Sequence, residues 1–305
     1  MKKAFTLLEL IVVIAITGIL SLIGTDIILN IYRSYLQSRA INTLETQTEI
    51  VLEQISKRLM FRIKESTIGR RTATAPLFVS TQDSGLNNTY TILEWVSYSY
   101  ESFQNGGWSG FIDLNHPNTT RTGADTGTLE TPGSNLASAD QTISDLTRVD
   151  AAASRANLSN NTVGIFFRGL GANVNTSFGY DGTAPNSIGI ATSTASNTNL
   201  AISNYNGADI SEFYYLLHTA YAVVPTVNSA NGDFDLFLHY DYRPWIGERY
   251  NDANTRIAIL ATNVTRFNFT EVDGMVVLKL CMRDAGRSLG NGEEETTVCK
   301  TKAIY

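Results

Sequence analysis

The sequence predicts an α+β protein in which a long N-terminal α-helix packs on an elaborated antiparallel β-sheet head. Three observations predict it. The chain has no proline before Pro76, and apolar residues recur every three or four positions through that stretch. After Gly69 the composition turns to β-branched and aromatic runs bounded by clusters of Gly, Asn, Asp and Ser. Near the C-terminus, Thr265–Thr270 and Met275–Met282 flank Glu271-Val272-Asp273-Gly274, a hairpin signal.

The first element is one helix from about Phe5 to Ile68, on the order of 95 Å long at 1.5 Å per residue. From Phe5 to Thr25 its single ionisable side chain is Glu9. Phe5 to Leu29 reaches the roughly 20 apolar residues needed to cross a hydrocarbon layer. Lys2 and Lys3 place the N-terminus in the cytoplasm by the positive-inside tendency, and Tyr32, Tyr35, Arg33 and Arg39 supply an interfacial belt on the far side. A carboxylate in such a segment costs about 2.5–3.5 kcal/mol, so Glu9 reads as a functional residue with a partner to be named. An ordinary secretory signal is the competing reading. It would lack Glu9 and show a small-residue cleavage site after the apolar run, for which Gly18, Ser21, Gly24 and Thr25 are weak candidates.

The second half of the helix carries a core-facing stripe of Ile41, Leu44, Thr48, Val51 or Leu52, Ile55, Leu59 and Ile63. Glu53 and Lys57 form a favourable i,i+4 pair on the other side. Gly69, with Arg70 and Arg71 beside it, is the expected C-cap. Beyond it, Tyr90–Phe103 alternates as a strand, and Thr162–Arg168, Phe213–Val224, Phe234–Tyr242 and Thr296–Ile304 are further strand-like runs. The region after the helix can bury a core for one large or two small domains. Between about 118 and 206 it is rich in Ser, Thr, Asn and Gly. There Ile165-Phe166-Phe167 favours an ordered, loop-rich insertion over disorder.

The net charge is −6 and no lysine occurs between Lys64 and Lys279, which argues against a phosphate-binding surface. Nucleic acid as a partner would need a local basic patch. His116, His218 and His239 stand alone, Ser109 lacks the glycines of a nucleophile elbow, and no glycine-rich phosphate loop occurs. The expectation is no enzyme and no cofactor. Asp233 and Asp235 are weak candidates for calcium ligands, although Asn-Gly-Asp at a strand entry reads first as a turn.

The basic leader Lys2-Lys3-Ala4, the Phe5-Thr6 junction and Glu9 four residues after Phe5 resemble the N-terminus of type IV prepilins and pseudopilins. The resemblance implies cleavage between Ala4 and Phe5 by a prepilin peptidase and N-methylation of Phe5. It also implies pairing of Glu9 with a neighbouring subunit's methylated amine. On that footing residues 1–4 are the leader, 5–29 the transmembrane or filament-core half of the helix, 30–69 its second half and 70–305 the head. Implied partners are other pilins or pseudopilins, the peptidase, an inner-membrane assembly platform and lipid. The implied location is the bacterial inner membrane with the head periplasmic, then a pilus or pseudopilus.

Two departures bear on the role. Ala4 stands where the family usually has glycine, and Asp26 stands where many major pilins have a helix-kinking proline. The missing proline and the large head resemble minor subunits, including J-class pseudopilins, which prime or cap a filament. Cys281 and Cys299 are the only cysteines. In a head outside the cytoplasm they read as a disulfide, as in the C-terminal loop of pilin heads, with two free buried thiols as the alternative. A membrane-launched adhesin or DNA-uptake subunit is the rival reading, with Trp95, Trp108 or Trp245 as exposed contacts, although core tryptophans are the commoner case. An anchored periplasmic enzyme has topology alone in its favour.

Overall fold

A computed structural model describes residues 6–120, 126–147, 156–207, 209–227, 232–284 and 296–305. Helix α1 runs over Leu7–Leu59 and is 53 residues long, about 80 Å. Its two halves live in different surroundings. From Leu7 to Ile31 every large apolar side chain is exposed, whereas Ala40, Leu44, Val51, Leu52, Ile55 and Leu59 are buried against the sheet.

The helix stops nine residues before the expected Ile68. Ile63 does belong to the apolar stripe, but its backbone N–H donates to the Val96 carbonyl at 2.9 Å, and Arg62 bridges to Ser97. Strand pairing thus takes over at the residue where the stripe would have continued the helix. Arg62 holds the junction, donating from Nη1 to the Leu59 carbonyl and from Nη2 to the Gly274 carbonyl, both at 2.9 Å. Gly69 is a strand residue and not a C-cap. A Cβ there would come within 2.5 Å of Leu86 Cδ1 and 3.2 Å of Tyr90 Cβ, so the glycine serves close side-chain packing and not a left-handed turn.

The strands are β1 (Ile68–Arg70), β2 (Phe78–Ser80), β3 (Ile92–Tyr98), β4 (Thr126–Glu130), β5 (Val163–Phe167), β6 (Ile188–Ser193) and β7 (Asn199–Ser203). They continue with β8 (Tyr214–Val227), β9 (Phe234–Tyr242), β10 (Arg256–Val272), β11 (Met275–Arg283) and β12 (Thr297–Ile304). Helices α2 (Tyr100–Gln104) and α3 (Leu136–Leu146) interrupt them. Every pairing is antiparallel, in the order β12-β11-β10-β9-β8-β5-β6-β7-β4, with β3, β1 and β2 branching from β8.

Strand β8 is the spine of the head. Its residues 214–217 pair with β5, residues 220–227 pair with β9, and residues 217–223 pair with β3. Leu217, Ala220 and Ala222 each have two strand partners, so β3 lies on the edge opposite β5 and β9. One core lies between α1 and the β8–β12 sheet, around Leu52, Ile55, Leu59, Trp95 and Leu278. A second fills the inserted region, around Trp108, Leu136, Ile143, Ile165 and Leu216. A third joins them around Phe166, Phe178, Leu217, Tyr242 and Trp245. The described parts of the 118–206 insertion are therefore a packed layer of four strands and a helix.

Two strand assignments shift. The Tyr90–Phe103 run is a strand only over Ile92–Tyr98, and α2 follows directly. Strand β10 begins nine residues before Thr265 and carries bulges near Ala261 and Thr265, which break the alternation that sequence periodicity needs. The hairpin itself closes with Asp273 (φ 51°) and Gly274 (φ 76°), the two left-handed residues of a tight turn.

Candidate assembly interface

The exposed half of α1 begins with a cap built from the motif residues. The Thr6 hydroxyl accepts from the Glu9 backbone N–H at 3.4 Å, and a Glu9 carboxylate oxygen accepts from the Thr6 backbone N–H at 3.2 Å. This reciprocal capping box satisfies two donors that would otherwise be orphaned at the helix start. The Thr6 hydroxyl also donates to Glu9 Oε2 at 3.1 Å. Glu9 thus has a local partner within its own chain while remaining exposed. Ala4 and Phe5 lie outside the described residues.

From the cap onward the arm is long and apolar enough to cross a membrane, with mean hydropathy 2.5 over its best window and none of that window buried by the head. Thr17 and Thr25 donate their hydroxyls to the carbonyls of Val13 at 2.7 Å and Ser21 at 2.8 Å, so neither leaves a donor to be satisfied by water. Two further charges, Asp26 and Arg33, are exposed along the arm.

At the other end, α1 is fastened to the edge strand. Lys300 reaches Glu49 at 3.1 Å, and Lys302 donates to Glu53, whose carboxyl that hydrogen bond and the lysine charge hold below its usual range. These pairs are exposed and orient the helix more than they stabilise it. Cys281 and Cys299 sit directly opposite each other on β11 and β12 and are joined by a disulfide, which ties the edge strand to the sheet.

The remaining sequence candidates are structural parts of the head. Asp233 is buried and paired with Arg283 at 2.6 Å, and Asp235 accepts from the Asn263 backbone N–H at 3.3 Å. Trp95, Trp108 and Trp245 are buried, so none offers an exposed contact. His218 is buried, and desolvation, helped by the nearby Arg243 charge, lowers it to about 4. His239 is tied through Nδ1 to the Tyr250 carbonyl at 2.7 Å. His116 lies 4.0 Å from Glu130 near the surface.

Sequence reasoning missed the most deeply buried charge among the described residues, Glu94, which is 1% exposed. Its carboxylate accepts from Arg70 Nε at 2.5 Å and from the Tyr242 hydroxyl at 2.9 Å. Burial alone would lower the Arg70 guanidinium, and the Glu94 charge and hydrogen bond outweigh it and hold it above its ordinary value. The cluster joins β1, β3 and β9 through one satisfied polar network. The signal was present, because Glu94 stands alone among Ile92, Val96 and Tyr98 on one strand face.

The prokaryotic N-terminal methylation motif matches residues 1–25, the stretch that holds Thr6, Glu9 and the start of the exposed arm. This N-terminus is a class III signal of the type IV pilin and pseudopilin superfamily. The pilin-type layout agrees, a long N-terminal helix leading into a large antiparallel sheet. No curated protein and no solved structure matches the chain.

Proposed function

We propose that the chain is a minor pilin or minor pseudopilin, a structural subunit that primes or caps a type IV pilus or a type II secretion pseudopilus. The observation that carries the reading is the contrast along α1: a bare apolar arm bearing the methylation motif, continuous with a helix half locked under a three-core head. Water does not cover an arm of that length, so lipid covers it before assembly and neighbouring helices cover it afterwards. Cleavage between Ala4 and Phe5 frees the amine that Glu9 of the next subunit engages. The positive-inside tendency of Lys2 and Lys3 supports a periplasmic head. Asp26 in place of a kinking proline and a bulky insertion support a minor role.

Deletion of the encoding gene tests the reading. Filament number or secretion should fall sharply, with the chain recovered in sheared filaments at far below the major subunit's abundance. Filaments of normal number and length without it would overturn the priming role.

A second reading, a surface-binding subunit, loses its tryptophans but gains Phe111 and Phe213. These exposed residues face each other across a β-bridge. Each is held by a serine two residues earlier, Ser109 and Ser211, whose hydroxyls accept from the phenylalanine N–H at 3.3 and 3.1 Å.

A further inference from the structure

The apolar arm carries two charges that neither the cap nor the head uses. Asp26 and Arg33 are exposed, and neither has an ion-pair partner among the described residues. They are seven residues apart, so they share one helix face at an axial separation of about 10.5 Å, beyond each other's reach. Asp26 lies three residues before Leu29, inside the stretch that would cross the hydrocarbon. A carboxylate at that depth is costly unless it is paired.

We propose that Asp26 of one subunit pairs with Arg33 of a second copy of this chain, the two helices running parallel and offset by seven residues. The proposal rests on the filament-subunit reading. Charge complementarity decides the occupant and the offset. Between Leu7 and Gln37 the charged residues are Glu9, Asp26 and Arg33. Two parallel copies in register set Asp26 beside Asp26 and Arg33 beside Arg33, like against like. Sliding one copy by seven residues sets Asp26 beside Arg33, and the flanking Leu22 and Leu29, both exposed in the single subunit, then cover each other. An offset contact of this kind is heterologous, using Asp26 of one copy and Arg33 of the other.

Cysteine cross-linking of the full chain in its own membranes tests this. Leu22 and Leu29 stand one turn before Asp26 and Arg33, so Leu22→Cys in one tagged copy and Leu29→Cys in another should cross-link. The same-level Leu22–Leu22 product should be minor. Asp26→Arg or Arg33→Asp alone should lower the mixed product at least about fivefold, equivalent to about 1 kcal/mol. The double reversal should restore it. A dominant same-level product, a product with a different protein, or a mixed product indifferent to the reversals overturns the pairing. Leader processing and membrane retention are scored in the same cells. Their loss in the unsubstituted chain overturns the subunit reading as well, whereas their presence without the offset cross-link overturns the pairing alone.

Discussion

Glu9 has two separable roles, and substitutions at that position distinguish them. In the single subunit its carboxylate closes the capping box with Thr6 through contacts at 3.2 and 3.1 Å. Losing such a cap costs about 0.5–2 kcal/mol of helix start. Its charge, in a segment of membrane-crossing length, costs about 2.5–3.5 kcal/mol, which only a docked amine can recover. Glu9→Ala removes both, so membrane residence becomes easier by about 2 kcal/mol on balance while the docking partner is lost. Glu9→Gln keeps an acceptor at the third helical position for the Thr6 N–H and removes only the charge. Both variants should be cleaved after Ala4 and accumulate as processed, unassembled protein in the membrane. Thr6→Ala, which weakens the cap but keeps the charge, should still assemble. Mass spectrometry of the mature N-terminus and immunoblots of sheared filaments read the two steps separately. Normal incorporation of Glu9→Gln would refute the docking role and leave Glu9 as a cap.

Cys281→Ser should destabilise the head by roughly 3 kcal/mol in the chain-entropy account, because the bond closes an 18-residue separation; thermal unfolding of the purified full chain in detergent reads it. Ile55→Ala, at a site with no exposure in the core beneath α1, should cost about 2–5 kcal/mol in the same assay. Glu94→Gln should cost about 3–5 kcal/mol by leaving Arg70 buried without its counter-charge, and a loss below 1 kcal/mol would show that the network contributes little. His218, lowered to about 4 in the fold, binds a proton more readily once unfolded, so its contribution to stability rises with pH between about 4 and 6.5. Asp241, raised to about 6 mainly by burial, acts with the opposite sign between about 4 and 6. The test is therefore the difference between wild type and His218→Asn: the variant should lose relatively little stability on acidification from pH 6.5 to 4, and parallel curves would refute the assignment.

The N-terminal motif and the apolar arm are local features, and the sequence alone determined them. A helix start is written within four residues by Thr6 and Glu9, and membrane-crossing length is written in the composition from Phe5 to Leu29. The C-terminal hairpin was legible for the same reason, since Asp273-Gly274 supplies the two left-handed residues its turn requires. Where α1 ends was not legible, because Ile63 continues the helical stripe and only its bond to Val96 on a distant strand draws it into the sheet. The assembly of the inserted layer on β8 was hidden too. Its strands are short, and their order depends on which edge of β8 remains free at residues 214–217, a question settled by pairing across the whole head. Glu94 shows the same division: periodicity placed it on a strand, but only the convergence of Arg70 and Tyr242 on its carboxylate explains how that charge can be buried, since burying a charge demands partners that sequence spacing cannot supply.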